Sequence, residues 1–424
     1  NGRRERLPAP RDARPLRLRD ALMRIRGRVL QPRSPHEVTY HHDGVVTIEG
    51  GLITAVEPLD GLPVDLDVRP HVIAPGFVDA HLHAPQTSIV GSATGSLLTW
   101  LQTTVFPAEA ELADPVRAAA LADAFTRRLL AAGTTLSFVY GSVHEAATDA
   151  LFAALKAVGV RAVAGPVWMD TDCPEALKTP PEVSEAMVRG LVERWHGDRL
   201  KVAVIPRFAL SCTPAALSRA GRLARELGLP VSTHLAETIA ECTEARRRFG
   251  TADYLQVYED AGLVHDRSVL AHCIHLSDGE WDRLAQTGAT VAHCPDSNDF
   301  LGSGGMPVAI VRSQGVPVSL GTDIGAGRSF AVYRTMSYAF DNARRQGVDL
   351  ELSELWWWGT RGGALALGET GTGALEPGLA ADLVVLEVPD TAHTAVEVMQ
   401  HVVFDHDVHP VRQVFVAGQA VGSG

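Results

Sequence analysis

The central part of the chain alternates between short apolar runs and segments of helical length, and this alternation constrains the fold more than any other feature. The runs that fit strands are residues 72–79, 134–140, 160–168, 202–208, 230–234, 268–272, 290–293 and 316–323. Helical patterns lie between them, at 115–132, 145–158, 181–195, 214–227, 236–249, 278–287 and 329–345. Strands that alternate with helices form parallel sheets. The eight strands predict an α/β fold, a (β/α)8 TIM-like barrel over residues 73–375 whose chemistry lies at the carboxyl ends of the strands.

The two ends of the chain have a different pattern. Residues 23–58 contain short alternating apolar and polar runs joined by tight turns, and β-rich runs return at 381–388 and 411–421. Such runs bounded by turns are typical of antiparallel strands. We therefore predict a small β-sandwich that both ends build together, from residues 23–72 and 376–424.

Composition excludes several classes of function. The net charge of −12 disfavours binding to nucleic acid or to an anionic membrane, and no apolar run approaches the roughly 18 residues of a membrane span. A small-molecule substrate is expected instead. The five cysteines form no CxxC pair, which predicts a cytoplasmic protein without a disulfide framework. Residues 1–22 are rich in arginine and interrupted by prolines, and we expect a disordered tail there.

The strongest single motif is Pro-Gly-Phe-Val-Asp-Ala-His-Leu-His at 75–83. Side chains two residues apart on a strand point the same way, so His81 and His83 would direct both imidazoles into one space. His234, His272 and Asp323 each end a later predicted strand. Imidazole and carboxylate ligands suit zinc or ferrous iron, and a position left for water indicates a hydrolytic site, since the pKa of zinc-bound water falls to about 7.

Glu237 follows His234 by three residues, where the chain is predicted to enter a helix. A carboxylate there can project into the same space and carry a proton from water to a departing amine; the plain alternative is an acid that stabilises the first turn of a helix. Barrels with two metal ions use a modified lysine at the end of the fourth strand, whereas here that strand ends in Pro206-Arg207-Phe208. We therefore predict one ion per chain.

These segments resemble the amidohydrolase superfamily, and the resemblance runs from about Met23 to the carboxyl end. Its general motifs are the 75–83 segment, His234, His272 and the Gly-Thr-Asp that ends at Asp323. More specific segments are 81–86, 97–109, 206–208, 271–273 and 293–298. The resemblance implies a member that hydrolyses guanine to xanthine and ammonia, and relatives that act on 8-oxoguanine, pterins or aminotriazines are the alternative. A catalytically inactive binding protein is a further alternative, but such proteins usually lose a ligand or the shuttle acid.

The resemblance also implies a role for each matching residue. Zn²⁺, or Fe²⁺ in its place, would be held by His81, His83, His234 and Asp323. Glu237 would move the proton, His272 would polarise the attacked centre, and Asp323 would help to activate the water. The purine would be bound by Gln86, Arg207, Phe208, Trp100 and Leu101. The resemblance further implies that the protein is a homodimer. It also implies that the molecule it binds is a small purine substrate.

Overall fold

The computed structural model describes residues 22–92 and 95–421. The predicted tail therefore lies, apart from Leu22, outside the described residues. Among the helices in those two ranges, none has both the length and the apolar character needed to cross a membrane.

The described strands form a group near the amino end, a group near the carboxyl end and a larger central group between them. They are β1 (Met23–Ser34), β2 (Glu37–Glu49), β3 (Leu52–Pro58), β4 (Leu66–Pro75), β5 (Phe77–His83), β6 (Thr134–Tyr140), β7 (Arg161–Gly165), β8 (Val167–Trp168), β9 (Leu200–Val202), β10 (Ile205–Pro206), β11 (Val231–Leu235), β12 (Ser268–His272), β13 (Thr290–His293), β14 (Val318–Leu320), β15 (Leu383–Leu386), β16 (Val411–Val416) and β17 (Gln419–Val421).

The helices connect and cover these strands. They are α1 (Leu97–Trp100), α2 (Phe106–Ala110), α3 (Pro115–Ala131), α4 (Glu145–Val158), α5 (Pro181–Trp195), α6 (Pro214–Leu227), α7 (Ile239–Phe249), α8 (Tyr254–Ala261), α9 (Asp278–Ala285), α10 (Pro295–Leu301), α11 (Val308–Gln314), α12 (Val332–Arg345), α13 (Leu352–Trp358), α14 (Arg361–Ala366) and α15 (Ala395–Phe404).

The central strands form parallel sheets, which confirms the predicted α/β class. One sheet has the order β5-β6-β7-β9, another has the order β11-β12-β13-β14, and β8 pairs with β10. Hydrogen bonds link the two larger sheets on both sides: Val204 bonds to Pro230 and Ser232, and the Asp323 N–H donates to the His81 carbonyl at 2.8 Å. Strands β5, β6 and β11 to β14 are almost wholly buried, as expected when helices cover a parallel sheet.

Three predicted strands are shorter than expected, and one of them, the run at 316–323, contributes only β14. The run at 160–168 divides into β7 and β8 because Pro166 between them has no N–H to donate to a ladder. The run at 202–208 contributes only the end of β9 and the short β10. As a result, Arg207 and Phe208 follow a strand instead of ending one, and their side chains are placed by irregular backbone.

Local signals in the sequence explain the ends of the longer helices. Helix α6 begins after Thr213, whose hydroxyl accepts from the Ala216 N–H, and it has proline at its first position. It ends at Gly228, which adopts φ +65°, a conformation that costs glycine little. Helix α7 does not begin at residue 236 as predicted. Thr238 and Glu241 form a capping box that starts this helix at Ile239.

The strands from the two chain ends join in one mixed sheet of seven strands, in the order β17-β16-β15-β4-β1-β2-β3. Its β4 pairs parallel to β1 and antiparallel to β15, so the end strands of the chain meet beside the strand that leads into β5. A separate cluster of buried apolar side chains from both ends packs on this sheet. In α13, the fully buried Trp356 packs against Phe77 at the start of β5, with ring centroids 5.7 Å apart.

Candidate active site

Four potential metal ligands meet at the carboxyl ends of the parallel strands. His81 and His83 lie on β5, His234 lies on β11, and Asp323 follows β14, and their ligand atoms all lie within 4.8 Å of one another. The Nε2 atoms of His83 and His234 are 3.2 Å apart. Asp323 Oδ1 lies 3.4 Å from His81 Nε2 and 3.3 Å from His83 Nε2. Side chains separated by up to 242 positions thus surround one point.

Around this point the backbone adopts positive φ values, which residues other than glycine rarely have. His272 has φ +72°, Asp323 has φ +50° and Ala236 has φ +52°. Each of the three follows or ends a strand on the same side of the parallel sheets. Such conformations cost about 1–3 kcal/mol each, and they persist where the surrounding structure fixes a functional geometry. Cys273, which follows His272, adds a fourth such residue with φ +49°, and the grouping marks a site whose geometry is held against a local cost.

The hydrogen bonds of the four residues fit a bound divalent cation. His234 Nδ1 lies 2.6 Å from the Arg207 carbonyl, which can only accept, so Nδ1 carries the proton and the lone pair of Nε2 points to the site. Neither ring nitrogen of His81 has a hydrogen-bond partner among the described residues, a state that is costly in a buried group unless something else satisfies it. Asp323 Oδ2 accepts from the Ser297 hydroxyl at 2.6 Å, which leaves Oδ1 facing the histidines.

The charge states point the same way. Burial lowers the pKa of His81 to about 4, and burial together with the neighbouring imidazoles holds the pKa of His234 well below its usual range. Burial would raise the pKa of Asp323, but the imidazoles of His81 and His83, 3.4 and 3.3 Å from its Oδ1, hold it well below the ordinary value. Neutral imidazoles and an ionised carboxylate are the forms that bind a metal. The residues present therefore fit one zinc or ferrous ion.

Glu237 and His272 lie beside this cluster. Glu237 Oε2 is 3.6 Å from His272 Nε2, and Glu237 Oε1 accepts from the Ser303 hydroxyl at 2.9 Å. His272 Nδ1 lies 2.8 Å from Asn298 Oδ1, and its Nε2 lies 3.9 Å from Asp323 Oδ2. Burial raises the pKa of Glu237, whereas burial lowers that of His272 but is outweighed by the adjacent carboxylates, so that the His272 pKa rises.

Glu237 does not stand on a helix, which corrects the prediction for this residue. It precedes Thr238, the residue that caps α7, and its backbone N–H donates to Glu241 Oε2 at 3.1 Å. The Glu237 side chain is therefore directed into the site by the loop after β11 instead of by helical geometry. The sequence carries the signal for this start, because Thr238 and Glu241 have the spacing of a capping box.

The five residues predicted to bind substrate line one cavity together with three of the four potential metal ligands and with Glu237 and His272. The residues that line it are His83, Gln86, Leu97, Trp100, Leu101, Arg207, Phe208, His234, Glu237, Glu241, His272, Leu301, Asp323 and Ala326. Gln86 comes from a 3-10 helix directly after β5, and Trp100 and Leu101 come from α1 and the π-turn that follows it. The structure thus brings together every residue that the sequence singled out; their roles stay predictions.

Several residues of the site were given no role from the sequence. Glu109 is 4% exposed and connects two predicted substrate residues, since Gln86 Nε2 donates to its Oε1 at 3.1 Å and Arg207 Nη1 donates to its Oε2 at 2.6 Å. It is the one charged residue in the 97–109 segment, which was a readable signal. Ser297 and Ser303 were also missed, because nothing in their local sequence indicates that they hold carboxylates 26 and 66 positions away.

Comparison with known proteins places this site in a family. Residues 72–421 match the amidohydrolase family. Guanine deaminase of Escherichia coli is 38% identical over 354 residues, which are 82% of this chain and 79% of that protein, and a probable guanine deaminase of Deinococcus radiodurans is 39% identical over 342 residues, 79% of this chain and 78% of that protein.

Solved structures give the same result. The E. coli guanine deaminase structure has a TM-score of 0.89 at 34% identity, and the match covers 95% of this chain and 99% of that one. A guanine deaminase of C. acetobutylicum with bound guanine in its active site also has a TM-score of 0.89, at 27% identity and over 95% of this chain and 100% of that one. This chain belongs to the amidohydrolase family.

Proposed function

We propose that the chain is a guanine deaminase, an enzyme that hydrolyses guanine to xanthine and ammonia. One observation carries this function: a single cavity is lined by potential metal ligands, by the Glu237 and His272 pair, and by Gln86 and Arg207. The relatives named above support the choice of guanine over other rings. Hydrolysis at C2 requires a nucleophile from water, a carrier for protons and donors and acceptors that hold the ring, and this cavity offers a residue for each task.

We propose zinc or ferrous iron as the cofactor, one ion per chain, with His81, His83, His234 and Asp323 as the residues that would hold it. When bound, such an ion lowers the pKa of a coordinated water to about 7 and so supplies a nucleophile near neutral pH. Ser297 would keep Asp323 oriented through its 2.6 Å hydrogen bond, and the Arg207 carbonyl would keep His234 in the coordinating tautomer.

Glu237 is the proton carrier in this proposal. Its carboxylate would take a proton from the attacking water and give it to the exocyclic nitrogen as the C2–N bond breaks and ammonia leaves. Burial raises the pKa of Glu237, which makes its carboxylate a stronger base than that of a free glutamate. His272 would donate from Nε2 to the charge that develops at the attacked centre. Because its Nδ1–H already faces Asn298 Oδ1 at 2.8 Å, this donation requires the doubly protonated ring, the form that the adjacent carboxylates favour by raising the His272 pKa.

Gln86 and Arg207 would hydrogen-bond the polar edge of the purine, and Phe208, Trp100 and Leu101 would cover the ring. An amide offers one donor side and one acceptor side, and a guanidinium offers a planar set of donors. The aromatic side chains supply flat apolar surfaces suited to a planar ring. Phe208 is 8% exposed and Trp100 is 3% exposed, so bound ring atoms would contact side chains that are already shielded from water.

We further propose that the parallel strands form one closed (β/α)8 barrel. We also propose that the seven-stranded sheet bends so that its two ends face each other, which would give the predicted β-sandwich. The links between the two parallel sheets support the first idea. Support for the second comes from hydrogen bonds that join the edge of β3 to the segment before β15, from Ile53 to Leu379 and from Ala381 to Gly51. We also predict that the protein is cytoplasmic, acts in purine catabolism and forms a homodimer. Light scattering on purified protein can test the homodimer.

The direct test is to incubate guanine with purified protein of known metal content and to measure the formation of both xanthine and ammonia. We expect equal amounts of the two products. A panel with 8-oxoguanine, a pterin and an aminotriazine, ranked by kcat/KM, decides which ring the enzyme prefers. If zinc-loaded and iron-loaded protein both leave guanine unchanged while another ring reacts, guanine is the wrong substrate; no reaction with any ring would favour the inactive binding protein.

A further inference from the structure

Glu109 is a buried acid in the cavity wall that the proposed reaction does not use. It lies on α2, and its two oxygens accept from different substrate-binding candidates, Oε1 from Gln86 and Oε2 from Arg207. Gln86, Arg207 and Glu109 are each less than 5% exposed. One carboxylate thus connects two side chains that are 121 residues apart in the sequence.

This contact fixes which side of the Gln86 amide faces the cavity. An ionised carboxylate can only accept hydrogen bonds, so the amide NH₂ must be the side that meets Glu109, and Oε1 is turned away from it. No described residue donates a hydrogen bond to Oε1. Gly325 makes room for this atom: it has φ +124°, and a Cβ there would lie 1.8 Å from Gln86 Oε1. The amide therefore offers an acceptor to a ligand.

The same carboxylate fixes the Arg207 guanidinium. Nη1 is used by Glu109 at 2.6 Å, whereas neither Nε nor Nη2 donates to any of the described residues. Because the guanidinium is planar, holding Nη1 also sets the direction of the remaining donors. The Arg207 carbonyl is bound to His234, so the backbone of this residue is fixed as well. The cavity consequently presents an acceptor on Gln86 and donors on Arg207, and Glu109 holds both.

We propose that Glu109 is a positioning residue that makes the enzyme select rings with an N–H donor next to a carbonyl acceptor. This inference rests on the proposed guanine deaminase function and names the feature of the substrate that is read, the N1–H and C6=O edge of a 6-oxopurine. Gln86 Oε1 accepts from the ring N–H, and Arg207 donates to the ring carbonyl. A ring with the reverse pattern, a 6-amino group beside an unprotonated N1, meets an acceptor with an acceptor and donors with a donor.

The test compares Glu109→Gln with wild type, using metal-loaded protein. Glutamine replaces one of the two acceptor oxygens with an NH₂ group that only donates, so it cannot accept from Gln86 and Arg207 through separate oxygens, and the Gln86 amide can turn. Two competitive inhibitors read the edge without chemistry: hypoxanthine carries the N1–H and C6=O pattern, and adenine carries the reverse. We expect wild type to prefer hypoxanthine, and the variant to lose about 10-fold to 100-fold of that preference, with KM for guanine raised more than kcat is lowered.

Two further variants make the result decisive. Glu111→Gln is the matched control, because Glu111 lies two residues on, is largely exposed and pairs with Arg117 outside the cavity lining; it should keep the wild-type preference. Glu109→Asp keeps the charge that balances Arg207, which protects folding, but it is one methylene too short to reach both partners and should also lose the preference. Unchanged preference and KM in both Glu109 variants, or an equal loss of both inhibitors, would overturn the positioning role. Absence of guanine turnover in wild type would instead overturn the proposed function.

Discussion

Replacing Glu237 with glutamine tests the proton carrier while disturbing little else. The carboxylate is 3% exposed, so it works in a closed environment. Its Oε1 accepts from Ser303 at 2.9 Å, a bond that the amide oxygen of glutamine can preserve. Glu237 is not among the four residues whose ligand atoms cluster within 4.8 Å, so the metal should stay bound. What the substitution removes is the ability to take up and release a proton.

The expected loss follows from that single change. A positioned general acid–base group contributes about 10²-fold to 10⁴-fold to a rate, which corresponds to about 3–5 kcal/mol of activation free energy. We expect kcat for guanine to fall by that factor, with KM changed only a few fold because Gln86 and Arg207 still hold the ring. Steady-state kinetics of xanthine formation, with metal measured in the same preparation, give both quantities.

The control is Glu244→Gln on α7, a partly exposed acid paired with Arg247 and Arg248. Exposed pairs contribute about 0–1 kcal/mol, so this variant should retain wild-type kinetics. If Glu237→Gln keeps its metal and its kcat stays within about threefold of wild type, Glu237 is not the proton carrier. If it loses its metal as well, the loss of rate says nothing specific about proton transfer and the assignment of four ligands is itself incomplete.

Three other perturbations address the metal and the ring. Chelation should abolish turnover and lower the free energy of unfolding by about 3–4 kcal/mol when the metal had been present at 100 to 1,000 times its Kd. Added zinc should restore both the activity and the stability measured by calorimetry. Full activity without metal would contradict this. Arg207→Lys keeps the charge beside Glu109 but loses the planar donors, so discrimination among purines should fall about 10-fold or more, as judged by ratios of kcat/KM. Gly325→Ala would displace the Gln86 amide and should raise KM for guanine about 10-fold, with metal content unchanged in elemental measurements.

The cluster of potential metal ligands could be predicted from sequence because each of its members lies on a strand or shortly after one. His81 and His83 share a face by the alternation of a strand, and His234 and Asp323 come after apolar runs that are long enough to recognise. In parallel α/β folds the carboxyl ends of the strands lie on one side, so residues that follow different strands can be predicted to lie close together. Spacing could not predict the backbone at His272, where φ is +72°, because histidine has no local preference for that conformation.

The residues that support the site were harder to predict. Glu109 and Arg207 are 98 positions apart, and no periodicity relates an acid on α2 to an arginine that follows β10. Ser303 meets Glu237 across 66 positions from a segment without regular structure. Side-chain contacts of this kind depend on how the helices and loops pack above the strand ends, which is decided by tertiary structure and leaves no local pattern.

The two halves of the site are consequently held in different ways. His81, His83 and His234 stand on strands that are hydrogen-bonded to their neighbours, so the sheets set the position of these three proposed metal ligands. Glu237 precedes the capped end of α7 and depends on Glu241, which accepts from its backbone N–H at 3.1 Å and from the Tyr254 hydroxyl at 2.7 Å. The proposed proton carrier must approach both the water and the departing nitrogen, and its place on a loop separates it from the strands that bear the proposed metal ligands.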